Sequence, residues 1–196
     1  MQFPNRPTPL SRQERIQILL EEYRSLNALL LFRLAAMDRR LPVSAGIITA
    51  AIASMFAVPA ESRTALLFVI PSALFWLVRS TAQHARAKED HLRRIDELER
   101  AINSIADEEL LVFQSQRPSG SRVTAGRTGG ITVVAVSSGA LAMLVLCVFV
   151  ILDQTNLIPP WLYISYVLIV AIDVIRVPVA LSGYCYRRPT TVVPTV

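Results

Sequence analysis

The sequence predicts an all-α integral membrane protein, with four transmembrane helices in two hairpins and amphipathic helices beside them in the cytoplasm. Three observations carry this reading. Of 196 residues, 53% are hydrophobic and only 18% charged, with a mean hydropathy of +0.44, whereas a soluble domain carries about 25% charge. Apolar residues fall in runs of membrane-crossing length. The charges fall in blocks between those runs, and the Lys and Arg residues lie almost entirely on alternate connections.

The first segment, 1–42, is read as a cytoplasmic amphipathic helix. Its opening MQFPNRPTPLSRQE is polar and proline-rich and does not read as a cleavable signal peptide, so the first apolar run is expected to do the targeting. Ser11 and Glu14 have the spacing of a capping box. After them Ile16, Leu19, Tyr23, Leu26, Leu30, Leu34 and Met37 recur at helical spacing up to Pro42, and the last turns are expected to run into the first span.

The first membrane hairpin occupies 43–82. VSAGIITAAIASMFAVPA (43–60) and ALLFVIPSALFWLV (65–78) flank a short polar link, ESRT. The second run reaches spanning length if Arg79 extends its charge to the interface and residues 80–82 continue the helix. A re-entrant hairpin is the alternative. Pro71, inside the second run, predicts a kink.

Residues 83–130 are read as a cytoplasmic basic helix followed by a Gly/Arg linker. Leu92, Ile95, Leu98, Ile102 and Ile105 form an apolar stripe. Glu89–Arg93, Asp90–Arg94, Arg93–Glu97 and Asp96–Arg100 are spaced for i, i+4 pairs. A helix with one apolar stripe must cover it. The two cytoplasmic stripes therefore pair within the chain or join an oligomeric bundle. The linker QSQRPSGSRVTAGRTGG (114–130) is either a flexible basic tether or an anion site. In the second case Arg122 and Arg127, with Arg93 and Arg94 on the helix, are candidate contacts for phosphate or anionic lipid.

The second membrane hairpin occupies 131–183. ITVVAVSSGALAMLVLCVFVIL (131–152) is free of charge, and WLYISYVLIVAIDVIRVPVAL (161–181) has spanning length; residues 184–196 form a tail. Eighteen of the Lys and Arg residues fall in 1–42, 79–130 and the tail, whereas the opposite connections hold Arg63 alone. Both termini are therefore expected in the cytoplasm.

Asp173 and Arg176 interrupt the last run. Counted from Trp161 at the outer edge, they lie roughly 18 and 22 Å deep. Each costs about 2.5–3.5 kcal/mol to insert, roughly cancelling the run's twelve Leu, Ile and Val residues. Tyr166, Asp173 and Arg176 share a helical face, so a polar stripe is expected to meet protein or water. Pro178 frees the Val174 carbonyl beside it and predicts a second kink. The pair reads as a packing device, as the lining of a permeation path, or as an interfacial charge without further role. Gly46, Ala50 and Ser54 offer a small-residue face for helix packing, which an assembly would need.

No catalytic constellation, glycine fingerprint or metal spacing appears, so no enzyme, cofactor or metal is expected. Two turns of helix separate His84 from His91. Cys147 and Cys185 make no disulfide framework. The expected partners are the lipid bilayer, further copies of the chain, and a cytoplasmic protein or nucleotide signal, with no nucleic acid.

The order of segments runs from LLEEYRSLNALLLFR through a hairpin to HLRRIDELERAIN, then an RTGG-bearing linker and a second hairpin. In this it resembles the small four-helix membrane effectors of bacterial antiphage defence. That resemblance implies an oligomer in the bacterial inner membrane that disrupts it on a cytoplasmic signal. The alternative is a non-conducting scaffold or accessory subunit that docks a cytoplasmic partner.

Overall fold

The computed structural model describes residues 10–113, 127–153 and 159–184, with all their side chains except those of 60–62 and 127–128. Among them are four helices and no strand: α1 (Arg12–Ala57), α2 (Ala60–Ala106), α3 (Arg127–Asp153) and α4 (Pro160–Ser182). Each is long and apolar enough to cross a membrane. The first cytoplasmic helix runs into the first span as expected, and the second span, read as ending near residue 82, is continuous with the basic helix. α1 passes through Pro42 without a break, and α2 runs on beyond Arg79 to Ala106. At 46 and 47 residues, these two helices are each about 70 Å long, over twice the hydrocarbon thickness.

The α1–α2 turn also differs from expectation. It falls at Val58–Pro59, and ESRT belongs to the first turns of α2. Pro59 has no N–H and disfavours helical backbone at the residue before it, so α1 ends just ahead of it. The Arg63 side chain folds back, its Nε donating to the Val58 carbonyl at 3.0 Å, and so caps a helix end. At the other end of α1 the capping box forms. The Ser11 N–H donates to Glu14 Oε2 at 2.8 Å, and the Glu14 N–H donates to Ser11 Oγ at 3.3 Å. The Ser11 hydroxyl, which donates to Glu14 Oε2 at 2.7 Å, and then the Ser11 N–H hold the Glu14 carboxyl below its usual pKa.

The described residues divide into two compact units, and α1 and α2 contribute to both. In the first unit, the start of α1 and the end of α2 pack antiparallel. Arg12 meets Asp107 at 3.2 Å, Tyr23 donates to Glu99 at 3.2 Å, and Arg94 bonds Glu22 at 2.8 Å. The apolar stripes cover one another within the chain, burying Leu30, Ile95, Leu98 and Ile102. α2 stops where Asp107 enters the left-handed region (φ 56°) and the Glu108 N–H reaches back to the Asn103 carbonyl, a Schellman-type end. The Asn103 side chain then holds Leu110 and Leu111 through three hydrogen bonds.

The second unit is a bundle of the remaining helix segments. Its core gathers Met55 of α1, Leu67, Leu74 and Val78 of α2, Ala140, Met143 and Cys147 of α3, and Tyr163, Val167 and Val174 of α4. α2 and α4 run parallel, because Tyr163 lies on Leu67, Tyr166 on Phe68 and Tyr184 on Arg86. The N-terminal ends of α2 and α4 therefore share one end of the bundle, as two antiparallel hairpins require. α1 covers least of itself: only 11% of its most apolar stretch is buried, and Leu41, Val43, Ile47, Ile52 and Phe56 face outward.

Candidate functional site

Parallel packing of α2 against α4 sets their polar residues at matching heights. Pro71 lacks an N–H and so strips the Leu67 carbonyl of its helical donor. The Tyr163 hydroxyl supplies the replacement at 2.8 Å, fully buried. One turn on, the Tyr166 hydroxyl donates to the Phe68 carbonyl at 3.1 Å and lies 2.8 Å from Ser72 Oγ. The rings of Phe68, Tyr163 and Tyr166 cluster with centroids 5.5–6.1 Å apart. A helix with an internal proline is thus tied to its neighbour by two tyrosines.

Past this tyrosine layer the helices enclose a cleft of about 270 Å³. α2 contributes Phe75, Arg79, Gln83 and Arg86; α4 contributes Asp173, Arg176 and Val177. Asp173 and Arg176 approach at 4.0 Å, the outer limit of an ion pair, with side chains 47% and 76% exposed. The expected stripe is therefore divided. Tyr166 is spent on α2, while the charged pair stands on the open edge of the cleft. Pro178, like Pro71, sits inside a helix that continues past it.

The other sequence candidates lie elsewhere. Arg94 is engaged in the first unit by Glu22 and Glu97. Partial burial works against its charge, but these two carboxylates more than offset that and raise its pKa. Arg93 is on the same helix and is half-buried. Arg122 lies outside the described residues, and Arg127 opens α3. Gly46 and Ala50 face outward, and Ser54 Oγ donates to its own helix at the Ala50 carbonyl. A side chain at Gly46 would meet nothing within 4 Å. Close approach occurs instead at Gly139, where an added Cβ would lie 3.0 Å from Ile48 Cδ1.

Titratable groups gather near the junction of α1 with α2. Burial, then the charges of Arg40 and Arg33, lower the pKa of His84. Burial likewise lowers that of Lys88, against the opposing pull of Asp38 and Glu89. Arg40 donates to Ser80 Oγ at 3.1 Å. Tyr184 stacks beneath Arg86 with 5.5 Å to the ring centroid, and its hydroxyl donates to Asp90 at 2.8 Å. Among the described residues no three His, Cys, Asp or Glu side chains are grouped to hold a metal ion.

Sequence reasoning missed the clustering of Arg79 and Arg86 with Arg176. The available signal was their spacing, since seven residues on α2 place both on one face. That α4 would supply a third arginine depends on register, which periodicity does not fix. No protein-family model, curated protein or solved structure matches this chain.

Proposed function

We propose that this chain is a non-enzymatic effector of the bacterial inner membrane that assembles with further copies of itself and permeabilises the bilayer on a cytoplasmic signal. The supporting observation is the exposure of Asp173 and Arg176. Both stand within an apolar helix, and a single chain leaves nearly half of the Asp173 side chain and three quarters of that of Arg176 uncovered. Charge facing hydrocarbon is costly, so such residues turn toward protein or a water-filled cavity. A neighbouring copy, or water inside an assembly, provides that cover. The outward apolar face of α1 gives the assembly a surface to bury.

In this reading both termini and the first unit are cytoplasmic, as the one-sided arginines favour. The signal, a protein or a nucleotide, acts on the first unit, whose two helices are the same two that enter the bundle. A role in antiphage defence is supported by the likeness of its segment order to four-helix membrane effectors. The reading is tested by expressing the chain in bacteria with a dye that reports membrane potential. Depolarisation that the Asp173→Ala, Arg176→Ala double variant loses supports it. An unchanged potential across signal conditions, with the protein assembled in the membrane, rejects it.

The scaffold alternative has one observation in its favour. Ile18, Leu29, Leu31 and Phe32 are exposed on the first unit and offer an apolar surface to a cytoplasmic protein. Stable co-purification of a fixed partner, without depolarisation, would select it.

A further inference from the structure

Three arginines line the cleft between α2 and α4, and one carboxylate answers them. Arg79 and Arg86 come from one face of α2, and Arg176 comes from α4. At 4.0 Å, Asp173 engages Arg176 weakly and leaves its guanidinium largely open. Arg79 stands 5.3 Å from the Phe75 ring centroid and Arg86 5.5 Å from that of Tyr184. Aromatic faces hold cations in place without neutralising them. Arg86 Nε is also buried with no hydrogen-bond acceptor, and a buried donor left unpaired is unfavourable. The cleft thus has surplus positive charge, a vacant donor and fixed cations. Its volume of about 270 Å³ is far above the ~10–15 Å³ that one water needs.

Depth says what anion is at hand. Counted through the Tyr163–Leu67 contact from the level of Trp161, Arg79 lies roughly 21 Å deep and Arg86 roughly 32 Å. Arg176 lies roughly 22 Å from Trp161. A hydrocarbon core about 30 Å thick ends within this range, where the lipid phosphates begin. Guanidinium forks match phosphate oxygens bidentately, and basic pockets between helices at this level suit anionic headgroups.

We propose that the cleft binds a phosphate group, presented by the headgroup of an anionic lipid or by a soluble organophosphate. The inference rests on the membrane-spanning reading and is independent of permeation. Arg86 and Arg176 grip the phosphate, Arg79 adds charge at the level of Arg176, and Asp173 limits affinity by competing for Arg176.

The test uses the full chain in a non-ionic detergent and native mass spectrometry of retained lipid. Phosphatidylglycerol should be retained about tenfold over phosphatidylcholine, whose choline cation the arginines repel. Arg86→Gln with Arg176→Gln should abolish that preference. Asp173→Asn should strengthen it, a gain that a misfolded variant cannot imitate. Arg39→Gln removes an arginine from a separate cleft of about 240 Å³ between α1 and α2 and should leave the preference intact. Displacement of phosphatidylglycerol by glycerol phosphate would support the phosphate chemistry and assign the soluble source; no displacement would assign the lipid. Equal retention of the two lipids, or an equal loss from Arg39→Gln, would overturn the proposal. Lipid retention is read without any leakage, so failure of the permeation reading leaves this result standing.

Discussion

The Tyr163 hydroxyl donates to the Leu67 carbonyl at 2.8 Å, the carbonyl that Pro71, four residues on, deprives of its helical donor. One side chain of α4 thereby repairs a defect in α2. It also sets the parallel register that brings Arg79 and Arg86 beside Asp173 and Arg176.

Tyr163→Phe should therefore destabilise the bundle by about 1–3 kcal/mol, the cost of leaving a buried polar group unpaired. In a Pro71→Ala background the new N–H can close the helical bond itself, and the tyrosine change should cost markedly less. A double-mutant cycle on thermal unfolding in detergent measures this coupling. Purely additive effects would mean that the hydroxyl does not serve the proline.

Gly139 makes a second sharp prediction. Ile48 Cδ1 occupies the space that a side chain there would need, so Gly139→Val should destabilise by about 1–3 kcal/mol through overpacking. Ile48→Ala in the same chain should recover part of that loss. Gly46→Val should leave the unfolding temperature of the single chain unchanged, since the site is open. If Gly46→Val instead shifts only the oligomer mass, the outward small-residue face is an interface between copies.

These cases show what was legible in the sequence. Helix content followed from periodicity and length, and the Ser11–Glu14 cap from spacing alone. The two amphipathic stripes read as paired within the chain or in an oligomeric bundle, and contacts such as Glu22–Arg94 show pairing within the chain. Spacing gave no depth for Tyr163, which reads as an interfacial aromatic beside Trp161, because a hydroxyl's acceptor depends on the neighbouring helix. The same limit applies to Gly46 and Gly139. Small residues recur by composition in alanine-rich spans, and only packing shows which one another helix touches. The run of the amphipathic helix into the first span was legible, and Pro42 does not stop it because a proline is a tolerated interruption in long helices.

His84 gives a pH dependence with a definite sign. Its folded pKa lies below the ordinary 6.5 because of burial and of Arg40 and Arg33. As pH falls, the unfolded chain therefore takes up the proton first, and the folded state loses stability. The loss begins near the unfolded value and is complete below the folded one. Thermal unfolding at about pH 7.5 and about pH 5.5 should show a drop on acidification that His84→Gln reduces. An undiminished drop in the variant would place the acid sensitivity elsewhere.

The ion pair of α4 carries the central claim. Removing one partner strands the other charge, so Asp173→Ala should lower the yield of assembled protein more than the change of both residues. With both proteins assembled, the most direct measurement is dye and ion leakage from liposomes containing the purified full chain. Wild type and the Asp173→Ala, Arg176→Ala variant are compared with and without nucleotide second messengers as activators. The account predicts leakage from wild type that the double variant loses. Equal leakage from both, or none from either while both are assembled in the bilayer, would contradict it.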